Sequence, residues 1–197
     1  MGTPITMTKS PISPGTIKFN VDVAICDNKA VIAAVARDSN GCLLKAWAKH
    51  TPFLDPTVAE AAAIIWALKL VAAEHFVNII VESDAKSCID ALACPLDESC
   101  WKIRHLTSVS LDLALSFPLC IFSWVKRDAN HVAHSVAKVA PSCLPFYCSK
   151  DNLPPLLKRF GLETCSFFFR NMMHIYQKKR KKKSPISKKH SGSNNYI

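Results

Sequence analysis

The chain has 197 residues, 49% of them apolar, enough to bury one sizeable core. No run of about 18 consecutive apolar residues is present, and Met1 to Ser13 has no apolar signal-peptide core, so neither a membrane-spanning helix nor secretion is expected. The formal net charge of +10 sits at one end: nine Lys or Arg residues and no acid follow Phe169, leaving 16 basic against 15 acidic groups before it. The charge therefore does not by itself make the body of the chain a polyanion binder.

In chain order, residues 1–16 read as a flexible lead-in, with Pro4, Pro11, Pro14 and Gly15 and no periodicity. Ile17 to Ile25 alternates: Phe19, Val21, Val23 and Ile25 share one face, and Lys18, Asn20, Asp22 and Ala24 the other, which predicts a β-strand. Lys29 to Arg37 predicts a second strand. Asp38-Ser39-Asn40-Gly41 is a tight-turn signal, and Cys42 to Lys49 is the returning strand of an antiparallel meander. Thr57 to Ala73 is apolar nearly all round and predicts a deeply buried helix, with Glu60 the one charge in its first turns.

Asn78 to Glu82 predicts a buried strand parallel to the first, because a helix connects them. A second helix follows, capped by Ser83 or Asp84 and running to about Ala93. Glu98 to Leu115 predicts a third, Phe117 to Val125 a further strand, and Asn130 to Val139 a last amphipathic helix. The order β-β-β-α-β-α-α-β-α describes an α/β domain over residues 17–140, a five-stranded mixed sheet with helices packed on it. Residues 141–176 are an extension of uncertain structure, with Phe167, Phe168 and Phe169 unexplained. Residues 177–197 are a basic tail expected to be disordered.

Nine cysteines, an odd number, lie scattered without a CxxC pair. Cys143 and Cys148 come nearest to a metal spacing. Buried free thiols in a reducing, intracellular compartment are the expectation.

Three carboxylates stand at telling places. Asp22 is mid-strand, where an isolated carboxylate is costly without a partner. Glu60 is early in the first helix and Asp84 at the carboxyl end of the fourth strand, where ligand sites of such sheets gather. Converging, they would suit a hard divalent cation such as Mg²⁺ and metal-dependent phosphodiester cleavage. Each has a structural alternative. Thr57-Val-Ala-Glu60 has the spacing of a capping box, and Asp84 has the place of an N-cap.

The ordered motifs Asn20-Val21-Asp22, Thr57-Val-Ala-Glu60-Ala61, Glu82-Ser83-Asp84 and Arg127-Asp-Ala-Asn130-His-Val-Ala-His134 resemble type 1 ribonuclease H, and within it the plant reverse-transcriptase-like branch. The resemblance covers residues 17 to about 140. It implies the RNase H-like fold, an Asp-Glu-Asp core at Asp22, Glu60 and Asp84, and a fourth carboxylate on the last helix, together holding two Mg²⁺. The fourth position is His134. Imidazole is a poor ligand for Mg²⁺, so the resemblance leaves the second ion short of one ligand. Val23 stands where the family often has Gly. His131 and His134, three apart, are either a metal pair or a surface pair.

Candidate nucleic-acid contacts are Asn20, Asn130, Lys102 and Arg104. Asn130 also suits a helix cap, and Trp101-Lys102-Ile103-Arg104-His105 is either a phosphate-facing patch or a solvated helix face. Trp47, Trp66, Trp101 and Trp124 have rings that could stack on bases, but all lie in the apolar patterns of core residues. Lys178 to Lys183 reads as a nuclear-import-like or nucleic-acid-binding run, with a solubilising tail as the alternative and the cytoplasm as the alternative location. The expected activity is RNA–DNA hybrid cleavage with Mg²⁺ by a monomer. The alternative is a catalytically weak or inactive nucleic-acid-binding module derived from such an enzyme.

Overall fold

The computed structural model describes residues 15–26, 28–140 and 146–149. The lead-in up to residue 14, most of the extension, the three consecutive phenylalanines and the whole basic tail with Lys178 to Lys183 lie outside the described residues.

Six strands form one mixed sheet in the order β5-β4-β1-β2-β3-β6. β1 (Ile17–Cys26), β2 (Lys29–Arg37) and β3 (Leu43–Thr51) make the antiparallel meander. β4 (Asn78–Ser83) lies parallel to β1, and β5 (Leu119–Trp124) parallel to β4. The five expected strands are thus present, and β6 (Phe146–Ser149) adds an antiparallel sixth beside β3. The helices are α1 (Pro56–Ala73), α2 (Lys86–Ala93), α3 (Arg104–Ala114) and α4 (His131–Val139).

Alternation along the strands sorts the core into two layers. Phe19, Val21, Ile32, Ala34, Trp47, Ile79, Val81 and Phe122 pack against residues of α1 and α2 and the start and end of α3. Val31, Ala33, Val35, Ala46 and Ala48 pack against Ala133, Val136 and Ala137 of α4. Both faces of β2 are covered, which is why it reads as an almost unbroken apolar run. Phe19 anchors the larger layer, stacked on Trp47 at 5.9 Å and meeting the edge of Phe76 at 5.8 Å.

Local chemistry fixes the connections. The β2–β3 turn is closed by Asp38: its carboxylate accepts from the Asn40 and Cys42 amides, and its carbonyl accepts from the Gly41 amide. Gly41 has φ +79° there, a conformation that costs glycine least. α1 starts at Pro56 because Asp55 caps it, accepting from the Thr57 and Val58 amides at 3.0 and 3.2 Å. By length and apolar composition α1 would also suit a membrane span. Its buried residues instead face the sheet, while Lys69, Ala72 and Ala73 are exposed, so it is buried on one side rather than all round.

Two helices begin later than the sequence pattern predicts. Residues 95–103 form turns, held by Ser99 Oγ donating to the Leu96 carbonyl and by Arg104 donating to the Asp97 and Ser99 carbonyls, so α3 starts at Arg104. α2 starts at Lys86, with neither expected cap in place: its N-cap is Ala85, and Ser83 Oγ accepts from the Ala85 amide just before it. Cys26, Cys42, Cys88, Cys94, Cys100 and Cys120 are free thiols, as expected, but Cys26, Cys42 and Cys100 are exposed and of these six only Cys88 is fully buried.

Candidate metal centre

The β1–β4 parallel pairing sets Val21 beside Ser83, so Asp22, midway along β1, comes next to Asp84 at the carboxyl end of β4. α1 brings Glu60 to the same place. Asp22, Glu60 and Asp84 each offer an oxygen, and these oxygens lie within 4.8 Å of one another.

The structural alternatives for these acids do not hold. Asp55, not Thr57, is the N-cap of α1, so Glu60 makes no capping box. Asp84 does not cap α2: its Oδ1 accepts from Asn130 Nδ2 at 2.8 Å, and its Oδ2 accepts from Arg127 Nη1 at 2.6 Å. Asp22 is 0% exposed. Buried Asp22 Oδ1 and Glu60 Oε2 have no hydrogen-bond partner, a costly state for a carboxylate oxygen.

The electrostatics follow from this crowding. Burial, then the neighbouring Asp84, pushes Asp22 up to about 7. Burial, then Asp22 and Asp84, pushes Glu60 up to about 9. Both shifts express the cost of bringing like charges together in a poorly solvated place. A divalent cation reverses that cost, so the donor set of three hard carboxylates, two with orphaned oxygens, fits one.

His134 lies beside Asp22, with Nδ1 at 2.6 Å from Oδ2. Arg127 Nη2 approaches the same nitrogen at 2.8 Å. One ring nitrogen cannot give a proton to Asp22 and accept one from Arg127 together, so the two partners compete. Burial, then the charges of Arg127 and Lys138, holds His134 below its usual range. His131 turns away, exposed, with Nδ1 at 3.1 Å from the Asp128 carbonyl oxygen. The two histidines do not act as a pair.

Asn20 and Asn130, expected to touch nucleic acid, are each 1% exposed, and burial removes them from direct contact. Asn130 does not use its side chain as a helix cap either. Its amide donates to the Val21 carbonyl at 2.8 Å as well as to Asp84, and its Oδ1 accepts from Asn20 at 3.2 Å. Asn20 in turn donates to Glu82 at 2.9 Å and accepts from Arg37 Nε at 3.0 Å. Lys18 and Arg37 both pair with Glu82, at 3.1 and 3.4 Å. A buried polar chain thus runs from Lys18 and Arg37 through Glu82, Asn20 and Asn130 to Asp84.

Lys102 and Arg104 are exposed, as a phosphate contact requires, but Lys102 pairs with Asp55 at 2.9 Å and Arg104 holds the preceding turn. Trp101 is 77% exposed and Trp124 lies at the surface, against the expectation of core positions, while Trp47 is buried. Trp124 Nε1 donates to the Asp84 carbonyl at 3.2 Å, which places an indole on the rim of the acid cluster. Sequence reasoning assigned no role to Glu82, Arg37 or Arg127. Glu82 had a signal: it is an acid in a strand interior, as anomalous there as Asp22.

A family model described as reverse transcriptase-like matches residues 20–140, more than half of the chain and all four helices. The chain belongs to the reverse transcriptase-like family. Solved structures agree on the RNase H fold. RNase H1 of the archaeon Halobacterium salinarum is 21% identical, with TM-score 0.58, over 64% of this chain and 98% of that one. The N-terminal RNase H domain of a Mycobacterium tuberculosis protein is 18% identical, with TM-score 0.56, over 66% and 98%. LC11-RNase H1, from compost, was solved with an RNA/DNA hybrid and is 18% identical, with TM-score 0.54, over 60% and 91%. No protein of curated function matches the sequence. For this reverse transcriptase-like domain, the acidic cluster and the fold together point to divalent-metal binding.

Proposed function

We propose that the domain is an RNase H-type endonuclease that cleaves the RNA strand of an RNA–DNA hybrid with Mg²⁺. The observation that carries this is the convergence of Asp22, Glu60 and Asp84 with buried oxygens left unpaired. Asp22, Glu60 and Asp84 hold the ion. When bound, it supplies charge stabilisation at the scissile phosphate and a nucleophile at neutral pH.

The chain's own groups do the rest. Asn130 fixes the Asp84 carboxylate against β1, so that ligand is oriented before anything binds. Arg127, on the open side of the cluster, offsets the acids until a cation arrives and is then free to meet substrate phosphate. The 2′-hydroxyls that tell RNA from DNA are read by backbone and polar groups along the groove. The motifs in the sequence support placement in the plant, retroelement-related branch, and the Lys178–Lys183 run supports nuclear location.

The test is hydrolysis of a labelled RNA–DNA hybrid in Mg²⁺ by the full chain. The wild type is expected to cut the RNA strand and Asp22→Asn to lose at least about 100-fold in rate, the order of one removed electrostatic catalytic group. Equal rates for the two proteins overturn the enzymatic reading.

A second reading is favoured by one observation. His134 occupies the side of Asp22 where the family's fourth carboxylate is expected, and with Arg127 it adds positive or neutral groups to a cation site. On this reading the domain binds nucleic acid and cleaves weakly or not at all. His134→Asp distinguishes the readings: a large rise from a low wild-type rate supports the weakened site, and no change from a high rate rejects it.

A further inference from the structure

On the sheet face that carries α1 and α3 there is a cleft of about 350 Å³ that shares no lining residue with the acid cluster. The titratable groups that line it are Lys49 and His50 from β3, Lys69 from α1 and His105 from α3, beside Thr51. No acid lines it. Among the described residues no carboxylate pairs with Lys49 or Lys69, whereas Lys18, Lys45, Lys86 and Lys102 each have one. Two lysines from different elements therefore face one concavity without a counter-charge.

The aromatic residues of the cleft have separate places. Lys49 Nζ lies 4.9 Å from the centre of the Trp66 ring, a cation–π contact that holds the ammonium in the cleft. Phe53 lies in the β3–α1 connection and is 38% exposed, so its ring is open. Burial and the Lys69 charge hold Lys49 below the usual lysine range, a cost that a bound anion relieves.

We propose that this cleft binds a single-stranded nucleic-acid segment, with Lys49 and Lys69 on its phosphates and an unpaired base on Phe53. Basic groups tracking a backbone beside an exposed ring are the general means of holding unpaired strands. The volume is that of a small-ligand site, room for a nucleotide unit and too little for a duplex. Glu60 and Trp66 both belong to α1, so one helix links this cleft to the acid cluster. The domain would then hold a substrate that has an unpaired strand beside its paired part.

The test is fluorescence anisotropy of a labelled single-stranded oligonucleotide with the full chain, in EDTA and across a salt series. Without divalent metal the result is independent of the cleavage reading. Lys49→Gln/Lys69→Gln is compared with Lys29→Gln/Lys86→Gln, a control that leaves the same tail and removes two lysines outside the cleft. The cleft pair is expected to weaken binding roughly tenfold and to shrink the slope of log affinity against log salt by about 1.4, two single-strand phosphates' worth. Lys69→Gln alone, an exposed change that leaves the core untouched, is expected to give about half that slope change. Equal effects of the cleft and control pairs overturn the proposal. Saturable AMP binding that the cleft pair abolishes, with strand affinity unchanged, overturns it too and assigns the cleft to a free nucleotide.

Discussion

Asp22 and Glu60 carry the clearest physical consequence of the site. In an unfolded chain they ionise near 3.8 and 4.5; folded, they hold their protons up to about 7 and about 9. The folded state therefore binds more protons than the unfolded one between about pH 4 and pH 9, and stability falls as pH rises through that window. The sign is opposite to that of a salt-bridged carboxylate. Urea midpoints measured in EDTA are expected to drop from pH 5 to pH 9. Glu60→Gln is expected to flatten the drop and to be more stable than wild type at pH 9, by on the order of 1–3 kcal/mol. A midpoint that rises with pH contradicts the crowded-acid description. Asp22 was legible in the sequence because a strand interior gives a carboxylate no local role. Trp101 was misread for the opposite reason: an apolar neighbourhood in sequence does not say which side of a turn faces water.

The elements were legible where their signals are local. Period-two alternation located β1, the Asp38 to Gly41 turn located the hairpin, and the change to an Ala- and Leu-rich pattern located α1. The signals that failed were non-local. β6 exists because Trp47 pairs with Tyr147 across the sheet edge, and nothing within four residues of sequence announces that. Residues 98–103 read as the start of a helix, but the Arg104 side chain takes the carbonyls of the turn before it. Asn130 looks like a cap because Asn favours caps, yet its amide reaches the Val21 carbonyl 109 residues away. Asn130→Ala is expected to destabilise the domain by about 1–3 kcal/mol, removing the amide that the Val21 carbonyl accepts from and leaving the Asn20 amide with Glu82 as its remaining acceptor. It should also weaken divalent-metal affinity about 10- to 100-fold, because Asp84 loses the group that orients it. Thermal melts with and without metal separate the two effects. Loss of stability with unchanged metal affinity would make Asn130 a purely structural residue.

For the whole molecule, the topology explains why one short set of acids could be read from sequence at all. β1 lies centrally, paired antiparallel with β2 and parallel with β4, so the middle of β1, the carboxyl end of β4 and the first turns of α1 meet at one place. Binding sites of such sheets form where parallel strands end, and three motifs far apart in sequence are gathered there by the fold alone. The polar chain behind them, Lys18 and Arg37 to Glu82, Asn20 and Asn130, was not legible because it depends on strand register rather than on any one motif. The proposed activity requires that the acid cluster bind a divalent metal. Calorimetric titration of Mg²⁺ into the full chain at pH 8 tests it most directly, comparing wild type with Asp22→Asn and Asp84→Asn. Saturable binding to wild type is expected, with release of the proton that Glu60 still holds at that pH, seen as a heat that depends on the buffer, and with loss of binding in both variants. Absence of saturable binding in wild type, or binding that survives both substitutions, contradicts the account.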